Sequence, residues 1–172
     1  VSVDCLKGWQ RPPVVSIGGQ VCSGNMNATG GELSFQEAVE GLMAGDFSRL
    51  EPVFRAPEGQ KCRMVEWDEA GLFAGEPDAL AEAFTCACFN GCTEVVKYLL
   101  GRGVDPAGGM KTGMNAFHWA GNRGQVEVTR LLLAARAPLE VLNMYGGTVL
   151  GTTVWSAINE PREGQLEVIE EL

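Results

Sequence analysis

The segment Glu94-Val95-Val96-Lys97-Tyr98-Leu99-Leu100 returns as Glu127-Val128-Thr129-Arg130-Leu131-Leu132-Leu133, 33 residues further along the chain. Gly91 and Gly124 keep that offset, as do Ala87 and Ala120, and Phe84 and Phe117. A third copy appears as Gly164-Gln165-Leu166-Glu167-Val168-Ile169, displaced by 40, so seven residues have been added. A fixed period in this range specifies a stack of like units rather than one closed core. The apolar residues within a unit follow helical spacing, and Gly punctuates them, so each unit reads as a pair of short helices. Such a pair has one apolar face that it cannot bury alone, and stacking neighbours buries it. Val95, Leu99, Leu100, Val128, Leu131 and Leu132, with Ala87 and Ala120, are expected to form the continuous core. The small Ala residues let successive pairs approach closely. Gly91 and Gly124 are expected to end the first helices in left-handed geometry, which costs a residue with a Cβ about 1 kcal/mol or more.

The pattern resembles the ankyrin repeat. That family's motif runs Gly-x-Thr-Pro-Leu-His-x-Ala-Ala, then Gly-His-x-Glu-Val-Val-x-x-Leu-Leu, then a Gly-Ala-Asp turn. Here Gly113-Met114-Asn115-Ala116-Phe117-His118-Trp119-Ala120 stands for the first part, and Gly124-Gln125-Val126-Glu127-Val128 with Leu131-Leu132-Leu133 for the second. The preceding copy reads Ala83-Phe84-Thr85-Cys86-Ala87, Gly91-Cys92-Thr93-Glu94-Val95-Val96, Leu99-Leu100 and Gly103-Val104-Asp105-Pro106. The following one opens with Asn143-Met144-Tyr145-Gly146-Gly147-Thr148-Val149-Leu150. The resemblance covers 79–172 as about three repeats, the last truncated. It extends more loosely to 34–54, where Gly45-Asp46 and Leu50 are similar to a degenerate capping repeat. It implies an all-α fold, a solenoid of stacked antiparallel helix pairs with an irregular N-terminal part.

The departures from the motif are specific. Asn115 and, one repeat earlier, Glu82 replace the family Thr, and either side chain accepts a hydrogen bond at a helix start. Pro is absent from the tetrapeptide in every copy. In the third copy Leu150, Val154 and Ile158 are spaced by four, so one register extends the first helix by extra turns until Asn159 to Pro161 break it. A second register sets Thr152 at the family Thr and divides the insertion between two loops. The sequence leaves both open. The chain stops at Leu172 inside the last helix, which reads as a piece of a longer protein.

The remainder divides in two. Residues 1–33 carry Gly and Pro with little pattern and are expected to form a flexible leader. Residues 34–78 are expected to form a degenerate helical cap with an irregular insertion. Ser34 with Glu37 makes a capping box, Gly45 ends that helix, and Asp46 is expected to cap a second one shortened by Pro52. A short helix over roughly 64–73 follows, with Trp67 as a packing anchor.

No residue pattern carries catalysis, a cofactor or a metal. His118 is the only histidine, and the resemblance implies that it bonds the backbone of the adjacent turn. Cys86 and Cys88 are two apart, so on a helix they point about 200° from each other and cannot share one zinc. Gly103 to Thr112 fails as a phosphate-binding loop, because Met110 precedes Lys111 where Gly is required and a helix precedes the segment where a strand is required. The acidic run Glu66, Asp68 and Glu69 reads as a solvated face.

The function implied by the resemblance is binding another protein through the turn tips and the inner-helix face. Transferred position by position, those sites are Lys111, Thr112 and Met114, then Met144, Tyr145 and Gly147, with Phe89, Asn90, Asn122 and Arg123 at the inner-helix ends. Phe89, Met144 and Tyr145 would then be apolar side chains at exposed places, as contact surfaces are. The net charge of −9 opposes nucleic-acid binding and favours a partner with a basic surface. No run approaches the ~18 apolar residues of a membrane span. The six cysteines, in a chain whose first ten residues lack a basic-then-apolar secretory pattern, read as reduced thiols in a cytoplasm. The alternative is a docking segment of a larger enzyme or effector whose catalytic part lies outside this chain.

Overall fold

The computed structural model describes residues 33–172, and the leader expected over 1–33 lies outside the described residues but for Leu33. The described residues form helices and no strand. The first helix, α1 (Phe35–Ala44), starts at the capping box: Ser34 Oγ accepts from the Glu37 N–H at 3.3 Å and the Ser34 N–H donates to Glu37 Oε2 at 2.8 Å. Gly45, with φ +75°, ends it. The second, α2 (Phe47–Phe54), contains Pro52 and stops two residues later, since Pro removes a ladder donor. Asp46 precedes α2 but, against expectation, makes no capping bond; its carboxylate lies 3.8 Å from Arg49 instead.

The expected helix over 64–73 is divided. Gly71, at φ +76°, separates α3 (Arg63–Glu69) from a 3₁₀ turn at Leu72–Gly75. Trp67 packs edge-on against Phe35 with ring centroids 5.6 Å apart. The solvated reading of the acidic run fails at Asp68, which is 4% exposed. Its carboxylate accepts from Arg102 Nε at 2.9 Å and from the Tyr98 hydroxyl at 2.7 Å. Tyr98 sits on α5 (Thr93–Gly101) and Arg102 follows its last residue, so a buried carboxylate ties the irregular segment to the helix pairs. Burial, with Asp68 beside it, pushes the Tyr98 phenol up to about 12.

Three helix pairs follow: α4 (Pro77–Asn90) with α5, α6 (Ala116–Arg123) with α7 (Val126–Ala134), and α8 (Val149–Asn159) with α9 (Gln165–Glu171). The first helices of the pairs lie side by side in one layer, the second helices in another, and α1 and α2 pack on α4. Helix α4 starts six residues earlier than the repeat offset from α6 requires, with Pro77 at the position where a missing N–H leaves nothing unpaired. Glu82 is therefore mid-helix and not at a helix start. Its Oε1 accepts from the Lys111 N–H at 2.8 Å, and its other oxygen has no protein partner.

Thr148 Oγ1 accepts from the Gly151 N–H at the start of α8, as Asn115 Oδ1 accepts from the His118 N–H at the start of α6. Those caps are 33 residues apart, so the first register holds. Thr152 is buried instead, receiving Asn143 Nδ2 at 2.9 Å. The added residues lengthen α8 to 11, against 8 in α6, and fill the loop before α9.

Phe84, Phe117, Ala87, Ala120, Val96, Leu99 and Leu132 are fully enclosed. Leu100 and Leu131, expected in the continuous core, are only half-buried and pack against its rim. A single residue's step along the helix explains this: each is the neighbour of a fully buried Leu and is rotated about 100° from it. Gly91 and Gly124 take φ +69° and +70°. A Cβ on Gly124 would overlap the Glu163 carbonyl, and a Cβ on Gly164 would overlap the Gly124 carbonyl, so two backbones touch there. Leu150, Val154 and Ile158 are exposed along α8. Among the described residues no helix is long and apolar enough to cross a membrane.

Candidate functional site

Two turns join successive pairs on the same side of the stack. In the first, Met110 and Lys111 are exposed. The Lys111 backbone is fixed by Glu82, and its ammonium lies 3.3 Å from Asp78. Thr112 is half-buried; its hydroxyl accepts from Trp119 Nε1 at 2.9 Å and donates to the Met114 carbonyl at 3.1 Å. The second turn is organised by Asn143. Its Oδ1 accepts from the Tyr145 and Gly147 N–H groups, both at 2.9 Å, and its own N–H donates to the Gly147 carbonyl at 2.9 Å. The Met144 N–H donates to the Gly113 carbonyl at 2.8 Å, which fastens the second turn to the first. From this fixed backbone Leu142, Met144 and Tyr145 project with 56%, 65% and 51% exposure.

The inner-helix ends behave differently. Phe89 is buried, edge-on to Phe47 at 5.7 Å and to Trp119 at 5.1 Å. Asn90 Nδ2 donates to the Phe47 carbonyl at 3.0 Å and to the Cys86 carbonyl at 3.2 Å. Asn122 Nδ2 donates to Ser156 Oγ at 3.1 Å, and its carbonyl accepts from Gln165 Nε2 at 2.7 Å. The half-buried Arg123 lays its guanidinium carbon 4.5 Å above the Phe89 ring.

The family model described as "Ankyrin repeats (3 copies)" matches residues 73–172. The chain belongs to the ankyrin-repeat family. No match was found among curated proteins. Ankyrin repeats are in general protein–protein interaction modules, and their fold is typically non-catalytic.

Within the ankyrin frame, the anticipated surface separates into exposed and enclosed residues. Lys111, Met144 and Tyr145 face solvent, and Thr112, Gly147 and Arg123 are half-buried. Phe89 and Met114 are not exposed as expected: both are buried, at 9% and 8%. Phe89 is covered because α2 brings Phe47 against α4 while Trp119 closes from α6. Asn90 and Asn122 direct their amides between helices rather than outward. Leu142 lies outside the anticipated surface, and Asn143 enters the sequence analysis only as the opening of the third copy, without its role in the turn. An Asn three residues ahead of Gly146, which takes φ +77°, is a turn pattern that marks them in retrospect.

The ankyrin histidine position is filled as expected. His118 is fully enclosed; its Nδ1 lies 2.6 Å from Asn115 Oδ1 and its Nε2 3.1 Å from the Gly147 carbonyl oxygen. Burial lowers the imidazole below its usual value, against the opposing pull of the Gly147 and Val141 carbonyls. The unfolded chain therefore binds this proton more readily than the folded one. Stability from the neutral ring is complete above the unfolded value, near 6.5, and declines as pH falls below it. Melting temperatures at pH 7.5 and 5.5 should drop more steeply for the parent than for His118→Gln. Equal slopes would refute a burial-neutralised ring. Glu82 is shifted upward by burial and contributes with the opposite sign, but it is common to both proteins and cancels in the comparison.

Burial pushes the Cys86 and Cys88 thiols well above their ordinary value, which makes them poor nucleophiles. Among the described residues no three of His, Cys, Asp and Glu are placed to hold a metal ion.

Proposed function

We propose that the chain grips another protein through its turn tips, Met110 with Lys111 and Leu142 with Met144 and Tyr145. In this reading α1 to α3 serve as the N-terminal cap of the repeats. One observation carries it: three large apolar side chains are exposed on a turn whose backbone is already fixed by Asn143 and Gly113. A loose apolar loop gains affinity only after ordering, whereas a pre-formed one avoids that cost. The net charge of −9 speeds encounter with a partner bearing a basic patch and opposes phosphate backbones and anionic lipid. Four described cysteines are free thiols, which supports a reducing, cytoplasmic setting.

The test is capture from host lysate by the full chain and by a Lys111→Ala, Met144→Ala, Tyr145→Ala variant. A partner held by the parent should lose roughly 30-fold or more in affinity, the size of a contact hot spot of about 2 kcal/mol. Melting of the variant should stay close to the parent's, because none of the three is in the core. Equal capture by both proteins would remove the tips from the interface.

A further inference from the structure

Most described cations are matched to carboxylates. Arg102 meets Asp68, Lys111 meets Asp78, and Arg130 meets Glu127, Glu167 and Glu171 together. Arg123 is an exception. Among the described residues it has neither an ion pair nor a hydrogen bond, and its guanidinium lies over the face of Phe89. That ring is itself held between Phe47 and Trp119, so the guanidinium rests on an immobile platform. Burial lowers the guanidinium from its ordinary value, the Arg162 charge adds to this, and the Glu160 carboxylate opposes it without forming an ion pair. A partly desolvated cation with five unspent donors is a demand for an anion.

The surroundings narrow which anion. Arg123 lines a groove of about 490 Å³ whose other walls include Gln125, Glu127, Glu163 and Glu167. Arg162 donates to the Asn122 carbonyl at 3.4 Å and pairs with Glu160 at 3.3 Å, so its charge is partly engaged. Glu127 and Glu167 are already held by Arg130, and Glu160 compensates Arg123 only in part, so one carboxylate neutralises what remains and the two charges of a phosphate overshoot it. A planar carboxylate also fits the planar fork in two parallel bonds.

We propose that Arg123 is a carboxylate seat, stacked on Phe89, that receives an Asp or Glu side chain of the protein partner. The proposal rests on the interaction reading above and names one chemical feature of the partner: an acidic residue placed among the basic ones that the overall charge attracts. The turn tips supply apolar contact, and the seat supplies orientation, because a bidentate pair fixes direction as well as distance.

The test uses the full chain with labelled arginine, followed by NMR at the Arg Nε–Hε groups. The probes are Ac-Gly-Glu-Gly-NH2, its neutral analogue Ac-Gly-Gln-Gly-NH2, and inorganic phosphate. Arg136, exposed and without an ion pair among the described residues, is the internal reference. The Glu peptide should shift Arg123 saturably, at a half-saturation at least about threefold lower than at Arg136, and the Gln peptide should not. Arg123→Lys, which keeps the charge and loses the fork, should remain folded and lose the preference. An Arg123 response no tighter than that of Arg136, or equal shifts from the Gln peptide, overturns the seat. Tighter binding of phosphate than of the Glu peptide overturns its assignment to carboxylate. The Met144→Ala, Tyr145→Ala variant should give the full Arg123 response, so failure of the tips and failure of the seat are read separately.

Discussion

Gly124→Val is expected to lower the melting temperature by roughly 6–12 °C, from a loss of about 3 kcal/mol converted at roughly 2–4 °C per kcal/mol for a chain of this size. Two effects add. The residue sits at φ +70°, a region that a β-branched side chain strongly resists. Its Cβ would also overlap the Glu163 carbonyl, and backbone cannot rotate away as a side chain can. Gly146 separates the two effects. It has a similar φ of +77° but open space around a built Cβ. Gly146→Val should therefore show the conformational penalty alone, about 1–2 kcal/mol. Equal losses at the two sites would show that the approach of the Glu163–Gln165 backbone contributes nothing.

Leu132→Ala should cost about 2–5 kcal/mol, the range for truncating an enclosed Leu. Leu132 is fully buried on α7. Its neighbour Leu131 has the same chemistry but lies half-buried at the rim, so Leu131→Ala should lose less than half as much. Urea or thermal unfolding of the two variants tests this directly. Matching losses would mean that the helix is rotated from the register described, with both side chains turned inward.

The pairing of these two leucines shows what the sequence could convey. The period of 33, the caps at Ser34 and Asn115, the glycines at 91 and 124 and the role of His118 were all legible, because each is a local rule repeated or completed within a few residues. Leu131 and Leu132 match equally well as letters, and periodicity alone did not say which of them faces the neighbour. Asp68 was misjudged for a different reason. Its partners, Tyr98 and Arg102, are 30 and 34 residues away, and an acidic run with distant cations looks like a solvated face. Phe89 was placed outside because the frame of the repeat leaves that position open. Here α2 supplies Phe47 and α6 supplies Trp119, and neither follows from the motif. Arg123 was legible as a surface residue, but the unmatched charge became visible only once its neighbours were placed.

The seven added residues have a consequence for how such a chain can change over generations. They enter between the start of α8 and the start of α9, where α8 lengthens outward and a loop returns the backbone to the Gly124–Gly164 contact. The caps at Asn115 and Thr148 keep their spacing, so the interior never registers the insertion. On that edge the chain has taken up extra length, while on the opposite edge the two caps hold the 33-residue spacing. Insertions and deletions there can deepen or flatten the ground beside Arg123 without a new solution to the core.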